Sequence, residues 1–425
     1  MYGYVYCHDC RDLVYDPTFE AIRTDTLSSK KRKHSSVDAG NGEKESKRLL
    51  ANNSTPSQCA ATGLRGFYNM GQTCFMSVIM QSIIHNPIIR IFFLTEGHKS
   101  SDCEREICIA CTVDDIFTDF FGQEKHEGYG AVHLLQACWK NGGSLAGYDQ
   151  HDAHEFLGFV LNGLHATITN TEETGDEVGK ECDCIIHTSF GGLMKSTVTC
   201  SKCQNTTSTL DPFMDLSLDI KNAGFAIKKK KQPLTNSITT EKVALPMNLT
   251  ECLDRFTEAE TLSADSYNCR KCASSQEAKK RLTLSRLPPV LPIHLKRFSH
   301  SQKSSQSSKV ETRVRFPFVL DLEPYASKPS ADKSGATNEN GDGEAETASA
   351  TVQDEPEATE PKYTLSSVIV HKGKIDNGHY INYSRQGNEW FRFDDSMVVL
   401  VDEKEVLGAE AYMLIYVVSS IGAQW

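Results

Sequence analysis

The sequence predicts an α+β architecture, and three observations point to it. Apolar residues recur at helical spacing early in the body of the chain. Short β-branched and aromatic runs separated by turn residues fill the later part, and polar or charged stretches interrupt both. Helices gathered first and antiparallel strands later are segregated elements, not an alternating βαβ series, and no internal repeat is visible.

The first helix is expected from Cys74 to His85, with Phe75, Val78, Ile79 and Ile83 apolar and Pro87 as its stop. A second, Asp149 to Leu164, sets Phe156, Phe159, Val160 and Leu164 on one face. Strands are expected at Leu216 to Ile220, Val290 to Phe298, Tyr363 to His371, His379 to Ser384, Trp390 to Val399 and Tyr412 to Val418. Three stretches carry too few large apolar side chains to offset their ordering entropy: 28–62, 228–240 and 326–361. The expected organisation is therefore a short N-terminal piece at 1–27, a disordered linker at 28–62 and a body at 63–420. A basic loop at 228–240 and a disordered acidic insertion at 326–361 interrupt that body.

With 39% hydrophobic and 24% charged residues among 425, disorder throughout is excluded. The longest strongly apolar run, near Tyr412 to Val418, is far short of the roughly 20 residues that span a bilayer. The opening residues carry no basic-then-apolar signal, so neither a membrane nor a secreted protein is expected. The formal charge is −11, but residues 331–361 hold nine acidic residues against one Lys. The rest of the chain is nearly balanced, so the acidity says nothing about the partners of the folded part. Fifteen cysteines, several in short-spaced pairs, suggest metal ligands and a reactive thiol in a reducing compartment.

Cys200-X-X-Cys203 and Cys269-X-X-Cys272 supply the four thiolates that a tetrahedral structural zinc takes where two hairpins meet. His98, Cys103, Cys108 and Cys111 form a second set, one His and three Cys within fourteen residues. In both sets all four ligands come from protein, which leaves no open position for water, so zinc is expected to be structural and no catalytic metal is expected. Cys7-X-X-Cys10 is either half of a zinc finger or two unrelated thiols.

Cys74 follows a glycine-containing turn and opens an apolar helix, where free amides and the helix dipole stabilise negative charge. His379 follows Gly378 at the start of a strand, and Asp394 and Asp395 close the aromatic run TrpPheArgPhe. Cys, His and Asp in that order suit a thiol protease, with the imidazole deprotonating the thiol and a carboxylate orienting the ring.

Four features together resemble the ubiquitin-specific protease family: the box around Asn69, Gly71, Thr73 and Cys74 ending in PheMet, the GlnHisAspAlaHisGluPheLeu box at 150–157, the two CysXXCys pairs, and GlyHisTyr followed by PheAspAsp. The resemblance covers 63–420. The extra HisCysCysCys cluster and the CysHisAspCysArgAspLeuValTyrAsp segment at 7–16 most resemble the subgroup that removes ubiquitin from histones within the SAGA coactivator complex. The resemblance implies a papain-like fold with fingers, palm and thumb, the fingers braced by the zinc ribbon. It makes Cys74 the nucleophile, His379 the general base, Asp394 the orienting carboxylate with Asp395 as runner-up, and Asn69 the oxyanion donor. It sets Asp152 and Glu155 beside the ubiquitin tail and reads 1–27 as the remnant of a ubiquitin-protease-type zinc finger. It implies ubiquitin, a ubiquitinated histone and SAGA-like adaptor subunits as partners, and the nucleus, with the cytoplasm as a second location. Two departures stand out: Gln72 replaces the family's Asn before Thr-Cys, and Asn377 replaces a small residue before Gly378.

A catalytically idle ubiquitin-binding scaffold is the competing reading, and the complete Cys, His, Asp and Asn set speaks against it. LysLysArgLys at 30–33 and the four lysines at 228–231 lack interleaved aromatics, so sequence-specific nucleic-acid binding is not expected.

Overall fold

All eleven residues of the helix Cys74–Ile84 are buried. A helix surrounded on every side must satisfy its polar side chains internally. Ser77 Oγ donates to the Thr73 carbonyl at 3.2 Å, and Gln81 Nε2 donates to the Arg65 carbonyl at 2.6 Å. Pro87 both ends this helix and begins the next, Pro87–Leu94, whose axis turns by 79°. Asn86 caps that second helix, its side chain accepting from the amides of Ile88 and Ile89. No single helix among the described residues is long and apolar enough to cross a membrane.

The structure is a computed structural model that describes residues 5–7, 12–14, 62–95, 97–141, 151–169, 182–221, 225–231, 238–300, 307–327, 361–374 and 377–422. Its centre is an eight-stranded sheet. Seven strands run in the order Met397–Val401, Glu389–Asp394, Asn377–Gln386, Lys362–Lys374, Ala411–Val418, Val290–Lys296, Leu216–Asp219, and Val319–Asp321 joins Lys362–Lys374. Only Val290–Lys296 with Leu216–Asp219 is parallel. From Met413 to Val417, residues of Ala411–Val418 alternate between two cores. Met413, Ile415 and Val417 pack with the helices, while Leu414 and Tyr416 pack on the opposite face. A strand covered on both sides reads as an unbroken apolar run, and this one does. The helices Ile109–Phe121 and Ala153–Thr169 complete the first core around Cys74–Ile84.

A separate four-stranded sheet, in the order Thr206–Phe213, Gly192–Cys200, Ala278–Arg286, Glu260–Leu262, projects the two CysXXCys pairs. The outer strand Thr206–Phe213 is exposed along nearly its whole length.

The structure corrects several expectations. The second helix begins at Ala153, not Asp149, because the Asp152 carboxylate accepts from the amides of His154 and Glu155 and caps it there. The run Trp390 to Val399 is two strands joined at Asp395 and Ser396, with Asp394 paired to Met397 and Asp395 at φ 51°. The run Val290 to Phe298 breaks at Arg297, whose buried guanidinium donates to the carbonyls of Ala411, Val310 and Thr312. The two ends of the basic loop expected at 228–240 are strands: Phe225–Lys231 pairs with Ile238–Ala244, Lys228 opposite Glu241, and residues 232–237 lie outside the described residues. Their Ile, Thr and Val positions favour extended backbone whatever the lysines prefer. Of 1–27, only Val5–Cys7 and Asp12–Val14 are described, as a paired hairpin. Residues 28–61, 328–360 and Cys10 lie outside the described residues.

Candidate active site

The approach to Cys74 is a tight turn built around one side chain. Asn69 Oδ1 accepts from the amides of Gly71 at 3.2 Å and Thr73 at 3.1 Å. Gly71 sits at φ 99° and Gln72 at φ 55°. Asn tolerates that left-handed conformation better than Gln, so Gln72 carries local strain. Thr73 makes no side-chain cap to the helix, and its hydroxyl instead accepts from the Met70 amide.

His379 reaches this turn from the central sheet. In the register that pairs Asn382 with Phe393, Asp394 lies across from Ile381 and so diagonal to His379 on the same face. His379 Nε2 donates to Asp394 Oδ1 at 2.7 Å. The ring also hydrogen-bonds Cys74, and with Nε2 committed, Nδ1 is left for the thiol. Gly378 is required before it, because a Cβ there would collide with the buried His371 ring. Lys309 Nζ donates to the carbonyls of His371 at 2.8 Å and Gly373 at 3.0 Å, tying down the end of the hairpin that carries His379.

The electrostatics separate the two carboxylates. The Asp394 bond, then the Cys74 bond, raise His379 to about 10 against the opposing effect of burial. Asp394 is lowered, first by its bond to His379. Asp395 is raised, first by burial, although it accepts from Asn69 Nδ2 at 3.2 Å. Its Oδ2 is 4.0 Å from His379 Nε2. Asp394 thus faces the imidazole, while Asp395 faces the amide of Asn69.

Asp152 and Glu155 come to the same cleft differently. Asp152 accepts from the Tyr412 hydroxyl and caps its helix, so both its oxygens are engaged within the protein. Glu155 is exposed two positions beyond the helix start. His151 packs edge-on against Phe75, the residue after Cys74.

Each expected metal set is assembled. The ligand atoms of Cys200, Cys203, Cys269 and Cys272, and those of His98, Cys103, Cys108 and Cys111, lie within 4.8 Å of one another in each set. Cys203 and Cys269 sulfurs are 3.6 Å apart and His98 Nε2 is 3.0 Å from the Cys111 sulfur. Sulfurs on a zinc tetrahedron stand about 3.8 Å apart, so the sets fit zinc. The Cys272 amide beside Cys269 draws that thiol down to about 6, which suits a metal-bound thiolate. Sequence reasoning missed a third set, His165, Cys182, Cys184 and His187, with His165 Nδ1 3.4 Å and His187 Nδ1 3.3 Å from the Cys184 sulfur. Its signal was Cys182-X-Cys184-X-X-His187.

Residues 65–416 match the family described as ubiquitin carboxyl-terminal hydrolase. The chain is 35% identical over 440 residues to ubiquitin carboxyl-terminal hydrolase 22 of Homo sapiens, covering 98% of this chain and 78% of that one. It is 33% identical over 415 residues to the probable ubiquitin carboxyl-terminal hydrolase 8 of Schizosaccharomyces pombe, covering 97% and 78%. Among solved structures, the SAGA Ubp8/Sgf11/Sus1/Sgf73 DUB module bound to ubiquitin aldehyde is similar, with TM-score 0.67 and 30% identity over 97% of this chain and 78% of that one.

Proposed function

Because the chain belongs to the ubiquitin carboxyl-terminal hydrolase family and is a deubiquitinase of the hydrolase 22 and Ubp8 type, we propose that it cleaves the isopeptide bond at ubiquitin's C-terminal glycine on a histone, within a SAGA-like module in the nucleus. The observation that carries the chemistry is the chain Cys74, His379, Asp394, drawn from the two ends of the body. Similarity to the Ubp8 module supports the adaptor and chromatin part.

Cys74 attacks the glycine carbonyl as thiolate, with His379 holding the proton and Asp394 holding the ring. Asn69 has one amide proton on Asp395 and a second to offer the oxyanion, together with the first-turn amides. His379 then protonates the departing lysine amine, and later serves as base for the water that cleaves the thioester. Glu155 at the cleft rim is the acidic group open to the ubiquitin tail, and Asp152 shapes that wall by capping its helix. The three His and Cys sets would hold zinc, which supplies folding free energy when bound. The segment 1–27 would be the end of a ubiquitin-protease-type finger.

The two carboxylates give a pH test. An imidazolium raised to about 10 stabilises the fold fully below about pH 6.5 and loses that contribution as pH climbs through 10. The alkaline limb of kcat/KM for a ubiquitin-fluorophore conjugate is accordingly expected near pH 10. Asp394→Asn is expected to move that limb to lower pH, whereas Asp395→Asn lowers kcat and moves the limb less, because Asp395 contributes less than Asp394 to raising His379. An alkaline limb that moves with Asp395 and not with Asp394 would exchange their roles.

A further inference from the structure

Two turns beyond Cys74, the buried helix meets the sheet through polar atoms. Asn382 is fully buried, and Ser367, Ser384 and Ser82 are 1%, 1% and 5% exposed. Asn382 Nδ2 lies 2.9 Å from Ser82 Oγ, 2.7 Å from Ser367 Oγ and 3.3 Å from the Val78 carbonyl. Ser82 Oγ donates to the Val78 carbonyl at 3.0 Å, Ser367 Oγ to the Tyr383 carbonyl at 3.1 Å, and Ser384 Oγ to Asn382 Oδ1 at 2.7 Å. With the two amide protons on Ser82 and Ser367, every proton in the network has an acceptor.

This network joins three elements: the helix Cys74–Ile84, the strand Lys362–Lys374 and the strand Asn377–Gln386. The helix carries the thiol at its start, and the last strand carries His379 three residues before Asn382. An apolar seam between a helix and a sheet tolerates sliding, because its contacts are non-directional. A buried, fully paired polar network does not, since any shift leaves desolvated donors without acceptors. A slip of one helical turn would carry Cys74 about 5.4 Å from its present place, out of hydrogen-bond reach of the imidazole.

We propose that Asn382, through Ser82 and Ser367, is a positioning residue that sets the register of the nucleophile helix against the histidine strand and so holds the Cys74–His379 pair in reacting geometry. The proposal rests on the assignment of those two residues as nucleophile and base. Ser384 serves as an internal control, because it belongs to the same network but bonds only sheet residues.

The test follows site-resolved alkylation of Cys74 by iodoacetamide against pH in the zinc-loaded chain, read by peptide mapping beside His379→Ala, together with kcat and KM on a ubiquitin-fluorophore conjugate. Asn382→Leu is expected to lower the Cys74 rate below neutral pH about tenfold, toward His379→Ala, and to lower kcat similarly with KM unchanged. Ser82→Ala, a milder change that keeps the fold, moves both in the same direction, and Ser384→Ala moves neither while lowering the melting temperature. Parental alkylation and kcat in Asn382→Leu and Ser82→Ala, with melting lowered as in Ser384→Ala, would reduce the network to packing and overturn the proposal. Parental alkylation no faster than His379→Ala would overturn both this proposal and the assignment beneath it.

Discussion

Cys74→Ala is expected to reduce hydrolysis of a ubiquitin-fluorophore conjugate to background while leaving ubiquitin bound. Where nucleophile and base act as one unit, losing either forfeits on the order of 10⁶ in kcat. Cys74 has 2% exposure and sits beneath a turn whose hydrogen bonds run through Asn69 and Thr73. Removing one sulfur therefore leaves the turn and the cleft walls in place. Loss of turnover with retained binding separates chemistry from recognition, and it should be read with adaptor subunits present. Substantial turnover by Cys74→Ala would mean that another thiol does the work.

Cys269→Ser is expected to act on folding before chemistry. The paired tip Asn268–Cys269 and Ser274–Ser275 is a two-stranded sheet with no large apolar side chain, and the outer strand Thr206–Phe213 of the four-stranded sheet that carries Cys200 is exposed. Little but metal is available to hold the tip. Structural zinc contributes about 10–16 kcal/mol in small domains, as much as a whole domain's usual stability of about 5–15 kcal/mol. Losing one of four ligands is therefore expected to remove about one zinc per chain, cut soluble yield and lower melting by roughly 10 °C or more. Metal analysis and calorimetry check this. Unchanged zinc content and melting would remove the ribbon from the account.

What the sequence revealed, and what it hid, follows from how local each feature is. Cys74 was legible because a helix-start thiol after a glycine turn is a short-range pattern, and His379 because Gly378 must precede it where His371 leaves no room for a Cβ. The strand Ala411–Val418 was legible as an apolar run. Which of its residues face which core was not, because both faces are buried. The hairpin through Lys228–Lys231 was hidden by charge, since composition outweighed the β-branched residues opposite. The His165 cluster was missed because its first ligand stands seventeen residues before the next, on a helix otherwise read only for its apolar face. The Asn69–Asp395 bond and the Asn382 network join residues about three hundred positions apart, which no spacing rule reaches.

The proposed hydrolysis requires a thiol and an imidazole from distant parts of the chain to act as one group. Ubiquitin carrying a C-terminal alkyne electrophile, mixed with the zinc-loaded chain and its adaptors and followed by peptide mapping, tests this most directly. The predicted result is a thioether on Cys74 alone, formed on the order of a hundredfold more slowly in His379→Ala. An adduct on another cysteine, or equal rates with and without His379, would contradict it.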